Sequence, residues 1–390
     1  MRMIGPRRRA VLSLVLATLV GAGAAAEVAL RLRPGLLPEA AQLRLYWDAT
    51  DDAIPKVPDP QLGFVHAPNQ AGEVRYRDFG FAFTTDGRGF RNAGPWAPRA
   101  DIVAVGDSQT FAFGVGDRHG WVAALDRALG GRRAVNLAVN GMAPGQQTRV
   151  LEAFGDELRP RAVLFGLFPG NALGAAAEFQ AWLDAGRPEP FTEFRRRPDG
   201  QPLWKRAVRW ATDRSRVLLY ARAVADGLRT PYGGSTLAFA DGGRINFAPF
   251  FYAGHAERAR PGEPLFEGVL GAVARAREVA EREGAGFLVV LFPTKEEVYL
   301  PLVGRPAPDV TGPFARAFEA RGIPYVDLLA AFRARAERGE RLFLEIDIHP
   351  NEAGYALVAE EVLRHLRTEP GLLEMADGGP RTRRSQPVGR

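Results

Sequence analysis

The chain has no cysteine among its 390 residues, which excludes disulfides, thiolate metal sites and thiol nucleophiles together. Lysine is nearly as scarce: Lys56, Lys205 and Lys295 are the full set, so the 51 basic residues are almost all arginine. A net charge of +6 invites a polyanion reading, but the excess sits at the two ends. Residues 1–26 carry Arg2, Arg7, Arg8 and Arg9 and no acid, and the stretch from Gly371 carries four arginines against Glu374 and Asp377. The body between them is neutral, so no nucleic acid is expected as a partner. Neither a G-x-G-x-x-G after a predicted strand nor a Walker loop occurs, which argues against nucleotide binding. The five histidines form no recognisable ligand set, so no metal and no other cofactor is expected.

What is present is ordinary globular material. Hydrophobic residues make up 46% and charged residues 25%, with 24 Phe and 6 Trp, enough apolar bulk for one large α/β domain with additions. Arg7-Arg8-Arg9 precedes an uncharged run from Ala10 to Ala26, apolar at Val11–Val20 and small-residued at its end. This is the layout of a secretory signal with cleavage options after Ala24 or Ala26. It is equally that of an uncleaved anchor within residues 1–33, extended past Glu27 by Val28, Ala29 and Leu30. In both cases the arginines stay inside and the body is exported, to the periplasm or another extracytoplasmic space. If the run is uncleaved, the membrane is itself a partner.

Residues 34–100 are rich in Pro and Gly with short β-like pieces at 63–65, 73–76 and 81–84, an irregular, strand-containing lead-in. From Asp101 the pattern changes. Apolar runs at 102–105, 134–139, 162–168, 287–292 and 324–328 alternate with helical periodicity at 121–129, 146–158, 265–282, 313–320 and 329–338, and a last helix covers 352–366. That alternation predicts a doubly wound α/β domain over 101–370. One gap, about 174–264, breaks the rhythm. It holds Phe194-Arg195-Arg196-Arg197 and a helix-like stretch 204–228, expected to pack Trp204, Val208, Ala211 and Leu218 on the body. Residues 371–390 read as a disordered tail.

Ile102-Val103-Ala104-Val105 runs straight into Gly106-Asp107-Ser108, which sets Ser108 at the carboxyl end of the first sheet strand, where open α/β sheets carry their sites. A serine hydroxyl needs a base, and the base an orienting acid. Among the histidines, His349 lies in Leu344-Glu345-Ile346-Asp347-Ile348-His349-Pro350-Asn351, before the terminal helix. In an extended segment residues two apart share a side, so Asp347 can meet Nδ1 and leave Nε2 for Ser108. The competing reading is that Asp347 and Asn351 merely cap the helix that follows. Gly141 just beyond the second strand and Asn171 just beyond the third offer a backbone N–H and an amide donor for an oxyanion.

With Ser108, Gly141, Asn171 and His349 in this order, the chain resembles the SGNH/GDSL hydrolase family, whose four blocks are matched by Gly106-Asp107-Ser108, Gly141, Asn171 and Asp347-Ile348-His349-Pro350. The resemblance covers roughly 101–366 apart from the insertion. It implies a flavodoxin-like three-layer α/β/α sandwich with a parallel sheet. It further implies Ser108 as nucleophile, His349 as base and then acid, Asp347 as its orienting acid, and Ser108 N–H, Gly141 N–H and Asn171 as the oxyanion hole. Two departures stand out. The acid lies two residues before the histidine rather than three, a spacing similar to that of exported alginate O-acetyltransferase relatives, with Glu345 as second choice. Asn171 is followed by Ala172 instead of Asp. The stretches 86–91 and 293–299 also look like segments of bacterial envelope members, and Lys295 is the expected substrate-binding residue, against a plain loop lysine. The implied function is a serine esterase acting on acyl, above all acetyl, esters of a carbohydrate or envelope component. An O-acyltransferase and a non-catalytic envelope binding protein are the alternatives.

Overall fold

The computed structural model describes residues 6–38, 41, 42, 45, 54–76, 79–195, 203–229, 236–247 and 260–369; the tail 371–390 lies outside them. Contacts divide the chain into two units, Ile54–Arg195 with Leu237–Ile245 and Phe251–Arg390, and Met1–Ala53 with Arg196–Thr236 and Asn246–Phe250.

In the larger unit two antiparallel ribbons come first, β1 (Lys56–Asp59) with β2 (Gly63–His66) and β3 (Ala71–Arg75) with β4 (Gly80–Thr84). The pieces expected in the lead-in are strands, but from Ile54 on these residues share one unit with the sheet. Arg91 illustrates the cause. Its buried guanidinium donates to the carbonyls of Ala82, Phe111, Ala112 and Val115 and pairs with Asp117 at 2.7 Å. It thereby fixes the chain that follows the Gly-Asp-Ser turn, including Ala112 at φ +62, a conformation that costs a non-glycine residue about 1 kcal/mol or more.

The sheet consists of β5 (Ile102–Val105), β6 (Ala134–Asn136), β7 (Ala162–Leu167), β10 (Gly286–Leu291) and β11 (Tyr325–Asp327), all parallel, in the order β11-β10-β7-β5-β6. Between them in sequence, β8 (Thr236–Ala238) and β9 (Arg244–Asn246) make a separate short ribbon. Every residue of β5, β7 and β10 is buried, as uncharged Val/Leu/Phe runs covered on both faces must be. Each such side chain contributes about 1.5–3 kcal/mol. Val103, Val105, Val163, Phe165, Leu167, Val289 and Leu291 share a core with α4 (Pro144–Leu158), α5 (Pro169–Asp184), α9 (Pro264–Arg282) and α11 (Gly312–Ala320). Alternate strand positions face the other way, where α13 (Glu352–Thr368) packs between α3 (Trp121–Ala128) and α12 (Leu329–Glu337). This is the three-layer sandwich with a parallel sheet that the sequence implies.

The insertion divides differently from the expectation. Its first part stays with the sheet: α6 (Phe191–Phe194) buries Phe191 against Phe64, Phe179 and Trp182. The single helix expected at 204–228 is two, α7 (Leu203–Arg214) and α8 (Arg216–Arg229), in the smaller unit with α1 (Pro6–Leu32). Trp204, Val208 and Leu218 are 63, 42 and 46% exposed and do not form the packing face assigned to them. The small core of this unit comprises Leu37, Ala41, Leu219 and Ala223, with Leu30 and Leu45 beside it. Within α1, Ser13–Leu32 is long and apolar enough to cross a membrane and none of that stretch is buried; a signal sequence meets the same test.

Candidate active site

Ser108 opens α2 (Ser108–Phe111), directly after β5. The local fold explains why glycine precedes Asp107 and why another interrupts β7. A Cβ at Gly106 would stand 2.1 Å from Thr110 Oγ1, and one at Gly166 only 1.9 Å from the same atom. Both glycines therefore let α2 sit hard against the sheet, a close approach rather than an unusual backbone angle at the strand exit. The Asp107 carboxylate caps α2 by accepting Gln109 N–H at 3.0 Å and also accepts the Asn171 side chain. Burial pushes Asp107 up to about 6, against the hydrogen bonds from Gln109 and Asn171 and the attraction of His349.

His349 Nε2 lies 2.7 Å from Ser108 Oγ across 241 residues of sequence, and its Nδ1 is hydrogen-bonded to Asp347 Oδ1. Asp347 is fully buried, and Ser108 and His349 are nearly so. The segment is not the extended strand the spacing suggests. Phe343 bridges Pro350, Leu344 N–H donates to His349 O at 3.0 Å, and Asp347 Oδ1 also accepts His349 N–H at 2.9 Å. The side chain thus closes a turn on the residue two positions on, and that turn brings carboxylate and imidazole together. Asn351, not Asp347, caps α13, accepting Gly354 N–H at 2.9 Å. Glu345 supplies only its backbone carbonyl to this network, to Lys295. Phe113 packs on the imidazole at 5.0 Å between ring centres.

Because β5 lies between β6 and β7, the turns carrying Gly141 and Asn171 flank Ser108. Leu137 N–H and Val139 N–H continue the β6 pairing to Ala104 and Gly106, and Gly141 follows at φ +75, where a side chain would be strained. A Cβ there would stand 3.5 Å from Arg195 Nη1 and 4.0 Å from Lys56 Nζ, so two cations border this turn. Beneath it, His66 Nε2 accepts Asn140 N–H at 3.4 Å. Burial, with the charges of Lys56 and Arg91, pushes His66 down to about 3, which keeps the ring neutral and able to accept. Asn171 sits in the first turn of α5.

Lys295 is neither a loop lysine nor an open cation. It begins α10 (Lys295–Tyr299), is 1% exposed, and donates from Nζ to Leu344 O at 2.9 Å and Glu345 O at 3.1 Å. Both carbonyls belong to the loop that bears Asp347 and His349, so the side chain expected to touch substrate is buried against that loop. The neighbouring Glu297 closes a second loop: its carboxylate accepts Thr294 N–H, Val310 N–H and Thr311 N–H at 2.8–2.9 Å. Sequence reasoning left out Asp107, His66, Asn92 and Asn136. Asn136 Nδ2 donates to Thr110 O and Asn92 Nδ2 to Asn136 O, both at 2.9 Å, so two amides brace α2. A polar residue inside an otherwise apolar strand, Asn136, was the available signal. Among the described residues no group of three or more His, Asp or Glu is arranged to hold a metal.

Residues 250–389 match the family described as the SGNH hydrolase-like domain of the acetyltransferase AlgX, a segment that includes Lys295, Asp347 and His349. No curated protein matches the chain. Among solved structures, TesA is similar at 17% identity and TM-score 0.35, covering 68% of this chain and 98% of TesA. A member of the lipolytic protein G-D-S-L family from Veillonella parvula is similar at 16% and 0.35, covering 67% and 96%. The esterase EstA from Pseudoalteromonas sp. is similar at 13% and 0.35, covering 69% and 97%. Over residues 250–389, about a third of its length, the chain is thus similar to the AlgX-type SGNH hydrolase-like domain.

Proposed function

We propose that the protein is a serine-dependent ester hydrolase acting on acyl, above all acetyl, esters of a carbohydrate or another cell-envelope component, by way of an acyl-enzyme on Ser108. One observation carries this reading: the unbroken hydrogen-bond line from Asp347 through His349 to Ser108 Oγ. His349 Nε2 takes the hydroxyl proton as Oγ attacks the acyl carbonyl carbon. The new C–O bond forms, the carbonyl electron pair moves onto oxygen, and Ser108 N–H, Gly141 N–H and the Asn171 amide receive the charge. Collapse breaks the bond to the alcohol, which leaves with the proton from His349. Water then gives a proton to His349 as it attacks the acyl carbon; collapse breaks the bond to Oγ, His349 returns that proton to Ser108, and the carboxylic acid leaves. Asp347, hydrogen-bonded to Nδ1, orients the ring and stabilises the imidazolium.

A second reading, an O-acetyltransferase, replaces water by a sugar hydroxyl in the final attack. The acetyltransferase domain matched over 250–389 and the short Asp-x-His spacing favour it. An activated acetyl ester, supplied with and without an acetate-free oligosaccharide, separates the two. Hydrolysis predicts acetate at one rate in both cases; transfer predicts faster ester consumption and an acetylated oligosaccharide. A purified full-length protein that consumes no ester under either condition contradicts both and leaves a non-catalytic envelope protein. The N-terminal segment, with its arginines before an apolar stretch, supports export of the protein.

A further inference from the structure

Helix α7 carries its apolar arc on the wrong side for a helix bathed only in water. At 100° per residue, positions 203, 204, 207, 208, 210 and 211 share one arc, which ends at Arg214, whose guanidinium lies over the Trp210 ring at 4.7 Å; positions 205, 206, 209, 212 and 213 share the opposite one. A surface helix ordinarily turns its apolar arc to the core. Here Leu203, Trp204, Val208 and Trp210 are exposed, whereas Thr212 from the opposite arc is buried. Helix α8 repeats the pattern in part: Leu219 and Ala223 enter the small core, while Leu218, Tyr220 and Val224 are exposed. The two helices carry Lys205, Arg206, Arg209, Arg214, Arg216, Arg222 and Arg229 against only Asp213 and Asp226.

Their junction is fastened to α1. The Glu27 carboxylate accepts Arg216 N–H at 3.0 Å, Val217 N–H at 3.1 Å and the Ser215 hydroxyl at 2.9 Å, capping α8. Arg31 pairs with Glu27 at 2.7 Å and donates to Arg214 O. Glu27 is the first charged residue after the run that ends at Ala26 and lies five positions before the end of the apolar stretch Ser13–Leu32, so this clamp grips the last turns of the candidate span.

We propose that α1 is a retained anchor and that α7 and α8 form a membrane-surface clamp, with the exposed arc of α7 lying in the interfacial layer of an anionic phospholipid bilayer beside the exit of α1. Three features select this occupant. Tryptophan with an apolar body and a polar N–H suits the headgroup level. A basic amphipathic helix is drawn to anionic lipid. The hydrogen bonds to Glu27 hold both helices at the depth where that layer begins. The inference is independent of the acyl chemistry proposed for Ser108.

The chain lacks cysteine, so one introduced thiol reports one position. Full-length Leu203→Cys, Val208→Cys and Asp213→Cys proteins, spin-labelled and reconstituted in vesicles of phosphatidylglycerol with phosphatidylcholine, are compared for collisions with oxygen and with a water-soluble nickel chelate. All three positions are exposed. The clamp predicts a severalfold higher oxygen-to-nickel ratio at 203 and 208 than at 213, falling in pure phosphatidylcholine. Nickel access equal to that at 213 overturns the docking, as does dipolar broadening at 203 that disappears on dilution with unlabelled protein, which would assign the face to a second copy. Equal ratios in both lipids overturn the anionic preference, and a mature chain beginning at residue 25 or 27 by intact mass overturns the anchor.

Discussion

Helices α9 and α7 have the same kind of sequence and opposite surroundings. In α9, Phe266, Val269, Leu270, Val273, Ala276, Val279 and Ala280 recur at helical spacing and all are buried; in α7, Leu203, Trp204, Val208 and Trp210 recur just as regularly and all are exposed. Periodicity fixes that a helix has an apolar side, but not what that side meets. For α9 the answer is the sheet-bearing core. For α7, whose apolar residues are exposed, the partner we propose is the membrane surface.

That contrast makes the sheet-bearing unit the place where substitutions cost activity and the α7 face a place where they do not. The largest expected effect is Ser108→Ala, which removes the nucleophile and lowers ester turnover by about 10^4-fold or more, with thermal unfolding little changed because Ser108 adds almost no apolar contact. Asn171→Ala removes one oxyanion donor and is expected to lower kcat by roughly 10^2- to 10^3-fold with a smaller change in KM. Next comes Asp107→Asn. Burial raises the Asp107 pKa above its ordinary value to about 6, so the folded protein takes up a proton more readily than the unfolded chain between about pH 4 and 6. Its ionised form costs stability above pH 6, and that cost vanishes as the pH falls. The substitution should therefore raise unfolding stability more at pH 8 than at pH 5, by roughly 1–2 kcal/mol, because part of the cost is already present at pH 5; denaturant titration at both values measures it.

A smaller effect is expected of Lys295→Met, which leaves the carbonyls of Leu344 and Glu345 without their cation in a buried site, at a cost of about 1–3 kcal/mol. A positioning role further predicts that kcat falls while KM for a small ester holds and that the pH profile of kcat shifts with the loosened histidine; a purely structural role would move only the unfolding midpoint. At the bottom of the scale, Trp210→Gln should leave turnover of a soluble ester unchanged and stability within about 0.5 kcal/mol. A large loss in either quantity would show that α7 buries that ring against protein and would erase its contrast with α9.

Much of the site was legible because its residues lie next to unmistakable strands. Ile102–Val105 is uncharged and β-branched, so whatever followed it had to stand at a sheet edge, and the same reasoning placed Gly141 and Asn171. The Asp-x-His pair was legible as a pair, but its geometry was not. Two-residue spacing is shared by an extended strand and by a side-chain-closed turn, and only the long-range bridge from Phe343 to Pro350 selects the turn. Lys295 and Asp107 were misjudged or missed for a common reason. A charged residue after a strand reads as a surface group, and its burial depends on a loop 49 or more residues away or on the Asn171 amide across a neighbouring strand. The division of the insertion between two units was equally hidden, since it rests on Glu27 meeting Ser215, Arg216 and Val217 nearly 190 residues later.

The relay through His349 is tested most directly by the intact mass of the full-length protein after exposure to a fluorophosphonate, with peptide mapping of the adduct. The account predicts one adduct per chain, on Ser108, absent from Ser108→Ala and slowed at least a thousandfold in His349→Ala. Labelling of another residue, or none at concentrations that saturate an ordinary serine esterase, would contradict it.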